Sequence, residues 1–169
     1  MLNGRIMADL REAVGEFLSR KQLAVAGVSR DGNLPANLIF RKLRDAGYEV
    51  FPVNPNASEV EGAACYPDLA SVPAALEGVI VATPPGAAEG LVRECADLGI
   101  PRVWMHRSLG TGSVSTAALE LCLREGIAVI PGSCPMMFVE PVDLGHRCFR
   151  WLLGGLGKLP RPEGFPGRE

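Results

Sequence analysis

The sequence predicts an α/β protein: a Rossmann-like, doubly wound parallel sheet of five main strands, with an optional short edge strand and helices on both faces. Three observations carry this. Apolar helical stretches stop at a glycine three times, at Ala46-Gly47-Tyr48, Leu98-Gly99-Ile100 and Glu125-Gly126-Ile127; glycine takes the left-handed conformation that ends a helix at no steric cost. A β-branched or apolar segment follows each joint: Tyr-Glu-Val-Phe-Pro-Val, Ile-Pro-Arg-Val-Trp-Met and Ile-Ala-Val-Ile-Pro. Strands that alternate with helices make a parallel sheet covered on both faces. Such sheets take ligands beyond the carboxyl ends of their strands.

The elements follow in order. Ile6, Leu10, Ala13, Val14, Phe17 and Leu18 recur at helical spacing and place an amphipathic helix over residues 4–20. Residues 23–28 are a short apolar run, the first strand. Asn33 and Pro35 read as a helix start, and Ile39, Phe40, Leu43 and Ala46 form that helix's buried stripe. The second strand is 49–53, closed by Pro52 and Pro55. Residues 54–72 are irregular, with a short edge strand near 63–66 and a helical turn over 70–76. The third strand is 78–82. Pro84 and Pro85 open the next helix, where first-turn amides lack partners in any case; Leu91, Val92, Cys95 and Leu98 are its inner face. The fourth strand is 102–105. Val114, Ala117, Ala118, Leu121 and Cys122 keep helical spacing for the helix after it. The fifth strand is 128–131, a loop runs over 132–141, and a final amphipathic helix covers 142–156. A single domain over 1–159 and a flexible, Pro- and Gly-rich tail over 160–169 complete the reading.

Composition removes several classes. A chain of 169 residues is one domain with a real core. A net charge of −2 and an aromatic share of 6% speak against nucleic-acid partners, which call for a basic excess or stacking platforms. There is no apolar run long enough to span a membrane and no apolar signal core at the N-terminus. The five cysteines, Cys65, Cys95, Cys122, Cys134 and Cys148, are odd in number, widely spaced and free of Cys-x-x-Cys or zinc spacing. A reducing cytoplasm fits them, and no metal site is expected.

The strand ends supply the candidate site: Gly27-Val28-Ser29-Arg30, Pro52-Val53-Asn54-Pro55, Ala82-Thr83-Pro84-Pro85, Met105-His106-Arg107-Ser108-Leu109-Gly110 and Gly132-Ser133-Cys134-Pro135. They are small, polar and almost free of acids, which favours anionic ligands at helix N-termini. The first is the natural phosphate turn, with Gly27 for close backbone approach and Ser29 for a hydroxyl. Its spacing is Gly27-x-x-x-x-Gly32, neither the dinucleotide fingerprint nor a P-loop. The second strand ends in Asn54-Pro55, where NAD-binding domains place an acid. The nucleotide is therefore not expected to be NAD.

These five tips, taken with Val103-Trp104-Met105 and Cys134-Pro135, resemble the small stand-alone CoA-binding proteins and the N-terminal CoA-binding domain of the succinyl-CoA synthetase α subunit, over residues 20–140. The resemblance implies coenzyme A, or an acyl-CoA, lying across the strand ends. The Gly27–Arg30 turn, with Val28 and Ser29, would hold phosphate. Pro52, Asn54 and Pro55 would border the adenosine. Ala82, Thr83 and Pro84 would line the pantetheine arm, with Met105, Ser133 and Cys134 completing the set. A 3′-phosphorylated ADP calls for cations; Arg30, on the loop itself, and Arg41, on the following helix, are nearest. The synthetase's phosphorylated histidine sits in a second domain with no counterpart in these residues.

No carboxylate pair, nucleophile elbow or Ser-His-Asp ordering accompanies the tips. Of the two histidines, His106 follows the fourth strand, whereas His146 falls in the last helix. Residues 106–112, rich in Gly and Ser, read as a mobile flap. Cys134 could form a mixed disulfide with the CoA thiol, although a small residue packing a turn is the plainer reading. The expected function is a cytoplasmic CoA- or acyl-CoA-binding protein without catalysis of its own. An NAD(P)- or other nucleotide-dependent enzyme or redox sensor in the same crevice is the alternative. A third reading is an interaction protein with a vestigial crevice, in which Phe149, Leu152, Leu153 and Leu156 make a homodimer contact.

Overall fold

The computed structural model describes residues 2–108 and 110–164, with side chains from residue 9 onward. Helix α1 (Leu2–Leu18) leads into β1 (Gln22–Ala26), α2 (Pro35–Asp45) and β2 (Glu49–Val53). A small hairpin, β3 (Glu59–Val60) and β4 (Ala63–Ala64), precedes β5 (Gly78–Val81), α3 (Pro85–Asp97) and β6 (Arg102–Met105). Then come α4 (Thr116–Glu125), β7 (Ala128–Pro131), a single 3-10 turn (Pro135–Met137) and α5 (Leu144–Gly155). The main sheet has five strands in the order β2-β1-β5-β6-β7, every pair parallel.

Side chains alternate across that sheet with period two, as pleated strands require. Leu23, Val25, Ile80, Trp104 and Ile130 point to one face and pack with α1 and α2 through Phe17, Ile39, Phe40 and Leu43. Ala24, Ala26, Val79, Val81, Val103, Met105 and Val129 point to the other, against Val92 and Cys95 of α3 and Leu121 and Cys122 of α4. Trp104 anchors the first face. It meets Phe17 edge-on at 5.4 Å between ring centroids, and its Nε1–H donates to the Gly132 carbonyl at 2.9 Å. Burying that indole with its donor satisfied also fixes where the chain leaves β7.

The sequence places the five main strands correctly and misjudges several joints. Strand β1 stops at Ala26 rather than 28 because Gly27 turns to φ +101°. The edge strand exists as a dog-leg: β4 pairs antiparallel with β3, and Tyr66 then runs parallel to Val53. Its N–H donates to the Pro52 carbonyl at 3.0 Å and its carbonyl accepts from Asn54 N–H at 2.9 Å. No helix forms over 70–76; Pro73 withholds an amide. Helix α1 begins and ends two residues earlier than expected. Helix α5 begins at Leu144 because Asp143 caps it, accepting from His146 N–H at 3.0 Å. The tail beyond Pro160 is tied down as far as it is described. Glu163 exchanges both backbone hydrogen bonds with Val129, at 2.8 and 2.9 Å, and so covers the edge of β7. The rest of that tail, residues 165–169, lies outside the described residues.

Candidate functional site

The sheet order sets the five tips side by side, with Asn54 and Pro55 at one end and Gly132 to Cys134 at the other. Consecutive connections from β1 leave in opposite directions, so the switch point lies between β1 and β5. Helix α2 starts beside one of these strands and α3 follows the other. Neither has a side-chain cap or an acidic residue in its first turn. Each helix opens on a proline, and Asn37 N–H and Ala87 N–H already donate to the Leu34 and Pro84 carbonyls, both at 3.0 Å. Ala36 N–H and Gly86 N–H are left at two helix N-termini that face the same crevice, a favourable place for negative charge. Gly27 is what lets the two tips close up. A Cβ there would stand 2.6 Å from the Ala82 carbonyl oxygen and 3.2 Å from Thr83 Cγ2. Its need for glycine is thus met within the fold, by the neighbouring tip.

The turn after β1 is held from beneath by a residue that the sequence reading passed over. Asn37, fully buried on α2, accepts from Ser29 N–H at 3.1 Å and donates to the Ser29 carbonyl at 2.7 Å. The same amide nitrogen donates to Glu61 Oε1 at 2.7 Å. Arg41 closes the cluster, donating to Glu61 Oε1 at 2.6 Å and to the Gly32 carbonyl at 2.9 Å. The Asn37 and Arg41 hydrogen bonds hold the Glu61 carboxyl below its usual range. Arg41, expected to meet phosphate, is therefore engaged by Glu61, a carboxylate delivered by the hairpin. Arg30 is exposed and makes no ion pair among the described residues, which leaves it the available cation on this turn. Ser29 Oγ accepts from Asp31 N–H at 3.2 Å. Asn54 donates to the Val28 carbonyl at 2.8 Å and accepts from Asn56 N–H at 2.8 Å, which locks the β2 tip to the β1 tip and leaves Pro55 exposed.

A cleft of about 400 Å³ opens at the switch point, lined among others by Pro35, Thr83, Pro84, His106, Ser108 and Gly112. Thr83 Oγ1 is buried with no hydrogen-bond partner among the described residues. Burial pushes the His106 pKa down, so the ring is neutral near pH 7; its Nε2 lies 3.0 Å from Ser108 Oγ. The expected flap over 106–112 is instead a tight turn in its described part. Ser113 N–H donates to the His106 carbonyl at 2.8 Å and Arg107 N–H to the Ser133 carbonyl at 3.0 Å. A Cβ on Gly112 would sit 2.5 Å from the His106 carbonyl oxygen. Leu109 lies outside the described residues. Cys134 is buried, and burial raises its thiol pKa against smaller opposing contributions from Met136 and Ser108. Burial disfavours the thiolate, the reacting form, and so favours the plainer reading of Cys134 as a residue packing the turn.

Of the expected site residues, Val28, Pro52 and Met105 have their side chains in the interior, so a ligand at those positions would meet backbone. Ser29, Arg30, Asn54, Pro55, Ala82, Thr83 and Pro84 share one rim. Ser133 and Cys134 sit below the surface at its far end, beside a second cleft. Asn37 could have been noticed as an amide in an otherwise apolar helical stripe. Glu61 could not, because only the fold brings residue 61 to residue 37.

The family model described as a CoA binding domain matches residues 21–140. The ADP-forming acetate–CoA ligase II of Archaeoglobus fulgidus is 31% identical over an alignment of 112 positions that covers 57% of this chain and 17% of the ligase. The chain thus spans less than a fifth of that enzyme's length. The Bacillus subtilis protein YneT is 27% identical over 122 residues, covering 72% of this chain and 87% of that one. Among solved structures, a protein from Pyrococcus horikoshii OT3 superposes with a TM-score of 0.71 at 28% identity, covering 78% of this chain and 90% of its own.

Proposed function

The chain belongs to the CoA-binding domain family, and on that premise we propose that it binds coenzyme A or an acyl-CoA across the carboxyl ends of its strands. The observation that carries the proposal is the crevice between β1 and β5. There the uncapped N-termini of α2 and α3 converge with no acid in either first turn, above a cleft of about 400 Å³. Anions are stabilised at such helix ends, and the volume is in the range of small-molecule sites. The diphosphate would rest on the turn from Gly27 to Arg30, with Arg30 meeting the 3′-phosphate. The adenosine would lie toward Asn54 and Pro55, and the pantetheine along Thr83 and Pro84 toward His106.

The reading is of a binder without chemistry of its own. His106 is neutral and lies 3.0 Å from Ser108 Oγ, but among the described residues no carboxylate orients its ring as a base, and Cys134 is a buried, protonated thiol. Free cysteines throughout the described chain suit a reducing, cytoplasmic setting. Calorimetric titration with CoA, dephospho-CoA, NAD and NADP tests the proposal. CoA is expected to bind below millimolar and NAD not at all; binding of NAD or NADP in place of CoA would overturn it. Arg30→Ala is expected to weaken CoA by about tenfold, the scale of one charge-assisted contact, with little loss for dephospho-CoA. Equal losses for both ligands would remove Arg30 from the 3′-phosphate.

A further inference from the structure

A second cleft, of about 560 Å³, adjoins the first through Ser108, which lines both. Its charged lining residues are Arg107 and Lys158, and no acid is among the described residues that line it. Neither cation has an ion-pair partner among the described residues, although arginines elsewhere on the chain pair with carboxylates at 2.5 to 3.7 Å. Leu153 and Leu159 give apolar wall. Ser133, also in the lining, is 3% exposed and held at φ +63°, and its Oγ has no hydrogen-bond partner among the described residues. A buried hydroxyl without an acceptor is uncommon and asks for an explanation. Two unpaired cations and an unanswered donor around one hollow describe a site for an anion. The guanidinium of Arg107 lies at this end of the sheet, 3.3 Å from where a Cβ on Gly132 would be. Residues 153–160, which close the cleft, fall outside the family-matched span.

We propose that this cleft is a carboxylate subsite, taking the terminal carboxylate of an acyl group carried as its CoA thioester. The inference rests on the reading of the first cleft, which brings the thioester end past His106 to Ser108. Beyond Ser108 the acyl methylenes meet Leu153 and Leu159, and the carboxylate meets Arg107, Lys158 and the Ser133 hydroxyl. An acyl group ending in a methyl would leave both cations unanswered, so the site discriminates by charge at the far end of the chain rather than by length alone.

The test is a calorimetric comparison of CoA with three pairs of thioesters matched in carbon number: propionyl- and malonyl-CoA, butyryl- and succinyl-CoA, pentanoyl- and glutaryl-CoA. In at least one pair the carboxylated member is expected to bind about tenfold more tightly. Lys158→Gln, at an exposed position where folding is not at risk, is expected to cut that ratio to about threefold, and Arg107→Gln to bring it near one. Binding of CoA with every pair equal would overturn the inference while leaving the CoA reading intact. A preference that survives both substitutions would overturn it as well. Failure of every thioester and of CoA itself would remove the reading beneath it.

Discussion

Asn37 and Glu61 show how much of the rim is maintained by side chains that no ligand need touch. One buried amide answers both backbone groups of Ser29 and orients a carboxylate, which in turn occupies Arg41. A half-satisfied network of this kind is costlier than none, so the phosphate turn and the hairpin are ordered together. His106 is the residue whose titration reports on the neighbouring cleft. Burial lowers its pKa below the ordinary 6.5, so the unfolded chain takes up the proton first. The stability it contributes is complete above about pH 6.5 and declines as the pH falls toward the lower, folded value. Melting temperature measured from pH 8 to pH 5 is therefore expected to fall more steeply for the native chain than for His106→Asn, which cannot titrate. Parallel profiles would show that His106 is already solvated.

The elements are ordered by what covers the sheet, and its β7 edge is the place where that cover depends on the chain's end. Glu163 bridges antiparallel to Val129 and answers its N–H and carbonyl. Deleting residues 161–169 is expected to cost about 1–3 kcal/mol in urea unfolding, the worth of two backbone hydrogen bonds, and to raise light scattering as an open strand edge pairs between molecules. An unchanged midpoint would mean that the pairing adds nothing. This contact was illegible in the sequence, where Pro and Gly announced only a loose tail. The strands were legible because apolar runs bounded by helix-ending glycines are local signals. The strand ends were legible because each apolar run stops at a turn residue, but which tips are neighbours follows from the sheet order, which no local signal carries. The Arg41 ion pair was illegible because its partner lies 20 residues away on a hairpin, and hairpin geometry does not show in periodicity. Arg107 and Lys158 went unnoticed as a pair because only the return of the chain after α5 brings them to one cleft.

At the scale of the molecule, charge is distributed against its mean. The chain carries a net charge of −2, yet its strand-end face presents Arg30, Arg107 and Lys158 without ion-pair partners among the described residues, together with two uncapped helix N-termini. Asp31 and Glu61 are the acids near the first turn, and Glu61 is already answered by Arg41. A polyanionic ligand therefore meets weak repulsion at long range and attraction only within several ångströms of the rim. The two contributions respond differently to salt. Attraction to exposed cations is screened once the Debye length drops from about 10 Å at 0.1 M salt to about 3 Å at 1 M, whereas backbone amides in contact with phosphate and apolar packing of the pantetheine are not. If Arg30 carries the 3′-phosphate, the dissociation constant for CoA is expected to rise about tenfold between 25 and 500 mM sodium chloride, and that for dephospho-CoA by less. The Arg30→Ala protein should then show the same shallow dependence for both ligands. A CoA affinity indifferent to salt in the native chain would assign the binding to the helix ends and the apolar cleft, and leave Arg30 a solvated surface residue.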